Sequence, residues 1–261
     1  MTKTKIDDVF NKLKATGDKA FISYIMAGDG GLDKLKGQIR TLEESGVDII
    51  ELGIPFSDPV ADGPVIQQAA IRALEQNISL QNILDELKNI KDEITAPIVL
   101  MTYINPILNI GYSEFARDAA ESGVSGIILP DVPLEEEEDI KVHLSEHDIA
   151  LIRLVTLTSD EDRIRELSEG AEGFLYAVTI KGTTGGRKSF GEDTYSHLEK
   201  IKSIADVPVC AGFGVSNVEM AKQLGSYSDG VIVGSKIVEL LHKGEDGKIK
   251  DLIPEKSTAV K

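Results

Sequence analysis

An α/β fold, a single closed barrel of eight parallel strands each followed by a helix, is the architecture that this 261-residue sequence predicts. Three observations point to it. Eight short runs rich in Ile, Val and Leu are apolar on both faces, as strands covered on both sides must be. Amphipathic stretches with helical spacing alternate with them. The first run is followed by Ala27-Gly28-Asp29-Gly30-Gly31, which lacks the spacing of a dinucleotide-binding turn, so an open doubly wound sheet is the poorer fit. About 250 residues is an ordinary length for one (β/α)8 TIM barrel, and no linker or composition shift divides residues 1–261 into two domains.

The elements follow in order. An extra N-terminal helix is expected from about Ile6 to Lys14. The strand candidates are Ala20 to Met26, Val47 to Leu52, Ala96 to Tyr103, Ser125 to Pro130, Ile149 to Thr156, Gly173 to Thr179, Val207 to Gly212 and Asp229 to Val233. Between them, Leu32 to Glu44 repeats Leu35, Ile39 and Leu42 every three or four residues. Leu80 to Ile90, Leu134 to Leu144, Asp160 to Leu167 and Val218 to Leu224 show the same period, and a helix is expected to start near Pro64. A short helix is expected from Ser235 to Leu241, after the eighth strand.

Composition narrows the function. A net charge of −16 and a pI near 4.7 oppose nucleic-acid and anionic-membrane binding, which need clustered Lys and Arg. The single cysteine, Cys210, lies in an apolar run and reads as a buried thiol. The N-terminus has no apolar signal core, and no apolar run reaches the roughly 20 residues that span a bilayer. A cytoplasmic location is the expectation.

In such barrels the site lies at the C-terminal ends of the strands. Glu51 is an acid between aliphatic neighbours near the end of the second strand and shares a face with Val47 and Ile49. If that face lines the barrel mouth, desolvation raises its pKa and suits it to proton transfer near neutrality. Alternatively, it hydrogen-bonds a loop. Asp62 follows in a loop stiffened by Pro55, Pro59 and Pro64 and also bearing Ser57 and Asp58. It is either a second catalytic acid or the cap of the helix near Pro64. Glycine-bearing stretches follow the last three strands: Lys181 to Gly186, Gly212 to Ser216, and Gly234-Ser235. The last two, with the N-terminus of the Ser235 helix, form a candidate phosphate cradle built from backbone amides. Gly182 to Gly191 has the composition of a mobile lid.

Other chemistries lack residues in the right places. His143 and His147 follow the acidic run Glu135 to Glu138 on an apparent outer helix, and His197 and His242 fall in helical segments. No histidine cluster occupies the strand ends, so no metal is expected. No lysine lies within a strand end to form a Schiff base. Carbon–carbon cleavage here would need a substrate that is its own electron sink. Two rivals are an isomerase or epimerase of sugar phosphates and an idle regulatory subunit.

The run Glu51-Leu52-Gly53-Ile54-Pro55-Phe56-Ser57-Asp58-Pro59-Val60-Ala61-Asp62-Gly63-Pro64 closely resembles the signature of the tryptophan synthase α-subunit family. The likeness continues through Met101-Thr102-Tyr103, Pro130-Asp131-Val132-Pro133, Tyr176, the Gly182-to-Gly185 loop, Gly212-Phe213-Gly214 and Gly234-Ser235. The resemblance implies a lyase that cleaves indole-3-glycerol phosphate to indole and glyceraldehyde 3-phosphate. It makes Glu51 the acid–base residue and places Asp62 on the indole N–H. Tyr24, Met101, Tyr103, Leu129, Leu154 and Phe213 would wall the indole pocket, with Tyr176 beside the substrate and Thr184 of the lid approaching Asp62. Gly185, Gly214, Gly234 and Ser235 would hold the phosphate. Asp131 would position loops or serve a structural role. The implied partner is a β subunit in an α2β2 heterotetramer, facing the Asp58-Pro59 loop and the lid and receiving indole; pyridoxal phosphate is expected on that partner only. The chain departs from the common family pattern at Tyr24, often Phe, and in the lid Thr183-Thr184-Gly185-Gly186-Arg187, where Val commonly precedes the key Thr.

Overall fold

The N-terminal helix α1 (Thr4–Thr16) buries Ile6, Phe10 and Leu13, a face of period three to four, and ends at Gly17 in the left-handed conformation (φ 76°). Those three side chains pack with Ala20, Ile22, Ile49, Val99, Ile128, Phe174, Cys210 and Ile232, which all lie inside the barrel. Each such burial contributes about 2 kcal/mol. The helix therefore plugs one end of the barrel, and glycines make room for it. A Cβ on Gly126 would lie 3.2 Å from Ile6 Cδ1, and the Phe10 and Phe174 rings stand 5.9 Å apart. The other end is left for the site.

The computed structural model describes residues 3–178, 191–212 and 214–257. Among these residues nine strands pair in parallel: β1 (Ala20–Met26), β2 (Ile49–Gly53), β3 (Ile98–Met101), β4 (Val124–Ile128), β5 (Ala150–Ile152), β6 (Leu154–Thr156), β7 (Leu175–Val178), β8 (Val209–Gly212) and β9 (Gly230–Val233). Their order is β5-β4-β3-β2-β1-β9-β8-β7-β6. The two ends of that series, β5 and β6, are consecutive in the chain and separated only by Arg153. They are halves of one barrel position: the first half pairs with β4 and the second with β7. The ring thus has eight positions, as the eight apolar runs predict, and the barrel expectation is borne out. The fifth run is corrected from one strand to two.

Alternation along the strands sorts the side chains. Ile49, Val99, Ile152, Phe174 and Ile232 face inward, whereas Phe21, Ile50, Leu52, Leu151 and Val231 face the helices. The outer layer consists of α2 (Leu35–Ser45), α3 (Pro64–Leu74), α4 (Leu80–Ile90), α5 (Ile104–Ile110), α6 (Tyr112–Glu121), α7 (Glu138–Glu146), α8 (Glu161–Ser168), α9 (Glu192–Ile204), α10 (Val218–Tyr227) and α11 (Ser235–His242). Helix α4 keeps its expected bounds because five aliphatic residues mark its buried face and Ser79 caps it through a capping box. The helix expected after the third strand, for which the sequence offers no bounds, is two helices, α5 and α6: α5 is seven residues with Pro106 in its first turn, and Gly111 (φ 98°) separates the two. Helix α11 bears out the short helix after the last strand.

Candidate active site

Glu51 reaches the barrel interior as its strand position requires, paired in register with Tyr24 on β1 and Val99 on β3. It is 1% exposed. Neither carboxyl oxygen has a hydrogen-bond partner among the described residues, so it does not hold a loop. Burial, and secondly the negative charge of Asp62, push its pKa from 4.5 up to about 8. An unpartnered carboxylate is costly to bury, so Glu51 is a neutral proton donor at pH 7.

Asp62 lies half-buried in the loop joining β2 to α3. Gly63 occupies the N-cap of α3 and Pro64 its first position; no side chain caps that helix, so the capping role falls away. The carboxylate instead faces Tyr103, whose hydroxyl donates to Asp62 Oδ2 across 3.5 Å and accepts from the Ala61 N–H at 3.0 Å. Phe56 stacks on the Tyr103 ring, with centroids 5.0 Å apart. Burial raises the Asp62 pKa to about 6, opposed by the Tyr103 hydrogen bond. Tyr103 in turn precedes α5, whose first N–H, that of Ile104, donates to both Asp131 oxygens at 3.1 Å. Asp131 therefore fixes the start of α5, then Tyr103, then the Asp62 loop. Two acids of unlike environment share one mouth, the lower-pKa one ionised at neutrality and the other protonated.

Two tyrosines border them. Tyr24 and Tyr176 lie inside the barrel, each over a glycine of the neighbouring strand. A Cβ on Gly53 would come within 2.0 Å of the Tyr24 hydroxyl, and one on Gly212 within 2.5 Å of the Tyr176 ring. Gly234 makes room on the other side of Tyr24, where a Cβ would lie 3.3 Å from Tyr24 Cβ. Burial holds both phenols well above 10, helped at Tyr24 by the charges of Asp62 and Glu51 and at Tyr176 by that of Glu51. Both hydroxyls keep their protons. Met101 packs between the interior cluster and the Tyr24 cluster, and Leu154 pairs in register with Tyr176. Leu129 differs. It packs in the strand–helix layer rather than the interior, because it lies one residue beyond β4 on the outward side of Ile128.

At the final turns, Gly214 adopts φ 68°, a backbone state that suits glycine. Gly234 is the N-cap of α11 with no side chain capping it. The Ile237 and Val238 amides already bond the Gly234 carbonyl, leaving those of Ser235 and Lys236 without a partner inside the helix. Among the described residues that end presents unpaired N–H groups, with a positive dipole, to an anion. Thr184, Gly185, Phe213 and the lid up to Phe190 lie outside the described residues. His143 and His147 fall on and just after the outer helix α7. Among the described residues, no three of His, Cys, Asp and Glu come together as a metal site, and no helix is long and apolar enough to cross a membrane.

The sequence profile of the tryptophan synthase alpha chain family matches residues 10–260. The chain belongs to that family. The tryptophan synthase alpha chain of Oceanobacillus iheyensis is 50% identical over 255 residues, covering 98% of this chain and 97% of its own length. That of Bacillus cereus is 50% identical over 245 residues, 93% of this chain and 95% of its own. Among solved structures, tryptophan synthase subunit alpha of Legionella pneumophila superposes with a TM-score of 0.85 at 35% identity, covering 94% of this chain and 91% of that one. A chain of Mycobacterium tuberculosis tryptophan synthase does so with a TM-score of 0.87 at 34% identity, covering 95% and 94%. As a tryptophan synthase alpha chain, the protein is a lyase of tryptophan biosynthesis.

One buried arrangement near the site is not evident from the sequence. Arg153, in the gap between β5 and β6, forms a bidentate ion pair with Glu137 just before α7, at 3.0 and 2.6 Å. Its signal was a single charged residue inside the apolar run Ile149 to Thr156.

Proposed function

We propose that Glu51 and Asp62 cleave indole-3-glycerol phosphate to indole and glyceraldehyde 3-phosphate, the α reaction of tryptophan synthase. The observation that carries this reading is the fully buried, unpartnered Glu51 carboxyl beside a second acid of lower pKa. Protonated Glu51 delivers its proton to C3 of the indole ring. Positive charge then spreads to the ring nitrogen, where ionised Asp62 holds the N–H and stabilises it. The ring is now an electron sink. The ionised Glu51 accepts the proton of the adjacent side-chain hydroxyl as its C–O becomes C=O, the carbon–carbon bond breaks, and its electron pair returns to the ring. Glu51 ends as it began, protonated.

Tyr24, Met101, Tyr103, Leu154 and Tyr176 line the ring's site in this reading, with Thr184 and Phe213 completing it. Gly185, Gly214, Gly234 and Ser235 hold the phosphate through backbone N–H groups, which reconciles an anionic ligand with a net charge of −16. The whole chain acts as one barrel domain and requires no cofactor of its own. A β subunit carrying pyridoxal phosphate receives the indole in a cytoplasmic α2β2 assembly.

The test is indole release from indole-3-glycerol phosphate by the purified chain, alone and with a β subunit. Release by the chain alone is expected, rising when the β subunit is added. A folded chain that releases no indole in either case overturns the reading.

A further inference from the structure

The barrel is interrupted at one position, and one side chain ties the interruption together. Between β5 and β6, Arg153 points outward into the helical layer, with a side chain 7% exposed against 8% for Glu137. Its Nε and one terminal nitrogen grip the two Glu137 oxygens, while the other terminal nitrogen donates to the carbonyls of Leu167 at 2.9 Å and Glu169 at 2.6 Å. One guanidinium thus spans the residue before α7 and the C-terminal end of α8, where unpaired carbonyls favour a cation. Burial pushes the Glu137 carboxyl up, yet the hydrogen bonds and charge of Arg153, assisted by Lys141, hold it below the usual carboxylate range.

Burying an ion pair this deeply is weak support for stability, because an apolar pair of similar volume commonly does as well or better. Packing does not demand it either. A cavity of about 420 Å3 opens beside the pair, lined by Leu129, Asp131, Leu134 and Leu154 among others. The pair does sit where the chain breaks between β5 and β6. The Arg153 carbonyl accepts the Tyr176 N–H at 2.9 Å, and the next residue, Leu154, is the register partner of Tyr176. Both are wall residues of the active site as read above.

We propose that Arg153 is a positioning residue: its side chain, clamped between Glu137 and the end of α8, sets where Leu154 and Tyr176 stand at the substrate. The identity of the substrate rests on the function proposed above. The position of the Tyr176 backbone does not.

The variant that separates position from stability is Arg153→Met combined with Glu137→Leu. Arg153→Met alone leaves a buried carboxylate without its main partner and lowers the melting temperature; the double variant restores it. In the double variant, KM for indole-3-glycerol phosphate is expected to rise about tenfold, with kcat within about threefold and unchanged pH limbs, since Glu51 and Asp62 are untouched. The Tyr176 amide exchanges with deuterium faster than in wild type, whereas the Ile50 amide, on the far side of the barrel, does not. A double variant with wild-type melting, KM and Tyr176 exchange overturns the proposal and leaves Arg153 a structural residue. Should the double variant not fold, Arg153→Lys serves instead. It keeps the charge but cannot reach Glu137 and both carbonyls together, so raised KM and faster Tyr176 exchange are again expected, and wild-type values overturn the proposal. If wild type itself fails to release indole, the proposed function falls, while Tyr176 exchange still decides the role of Arg153.

Discussion

Glu51→Gln is expected to abolish turnover and, at alkaline pH, to make the protein more stable. The first effect follows from its role as proton carrier: removing a general acid–base group typically slows a reaction 10²–10⁴-fold, so kcat should fall by at least about 100-fold. The second follows from linkage. The fold raises the Glu51 pKa from 4.5 to about 8. Below 4.5 the carboxyl is protonated in both folded and unfolded chains and imposes no penalty. Between 4.5 and 8 the unfolded chain releases the proton while the folded chain retains it, so stability declines as pH rises. The full loss above pH 8 is on the order of 5 kcal/mol. Glutamine is neutral throughout and removes this decline. Denaturant melts at pH 5 and pH 9 test it: the variant should gain on wild type at pH 9 and show little gain at pH 5. Equal differences at both would mean that Glu51 is ionised in the folded chain.

Asp62→Asn should lower kcat about 100-fold while changing KM less than threefold. Its carboxylate acts on charge that exists only as the ring is protonated, so its removal raises the barrier more than it weakens binding. Equal losses in kcat and affinity would make Asp62 a binding residue only. A second signature distinguishes this variant from general damage. The Asp62 charge helps raise the Glu51 pKa, so its removal should move the alkaline limb of the rate profile to lower pH. The acidic limb near 6, which belongs to Asp62 itself, should disappear.

Much of this arrangement was legible in the sequence for a physical reason. Strands covered on both faces must be apolar throughout, so the first strand, Ala20–Met26, and the helix Leu80–Ile90 carry the same bounds in both readings. Period-two alternation correctly turned Glu51 inward with Ile49. Where local pattern is weak, the sequence is silent or misleading. Pro106 and Gly111 break the period between Ile104 and Glu121, hiding α5 and α6. The average apolarity of Ile149 to Thr156 masked Arg153, the residue at which the strand divides. Leu129, assigned to the indole wall by resemblance, lies on the outer side of the strand layer. The chain of contacts from Asp131 through Ile104 and Tyr103 to Asp62 joins segments up to 69 residues apart, and no local spacing encodes it.

Two acids of the barrel mouth are held in opposite protonation states at neutral pH. The dependence of kcat/KM on pH measures this directly. A bell with apparent limbs near 6 and 8 and a maximum near 7 is expected, rising as Asp62 ionises and falling as Glu51 loses its proton. A profile that stays flat from pH 5 to pH 9 would contradict it.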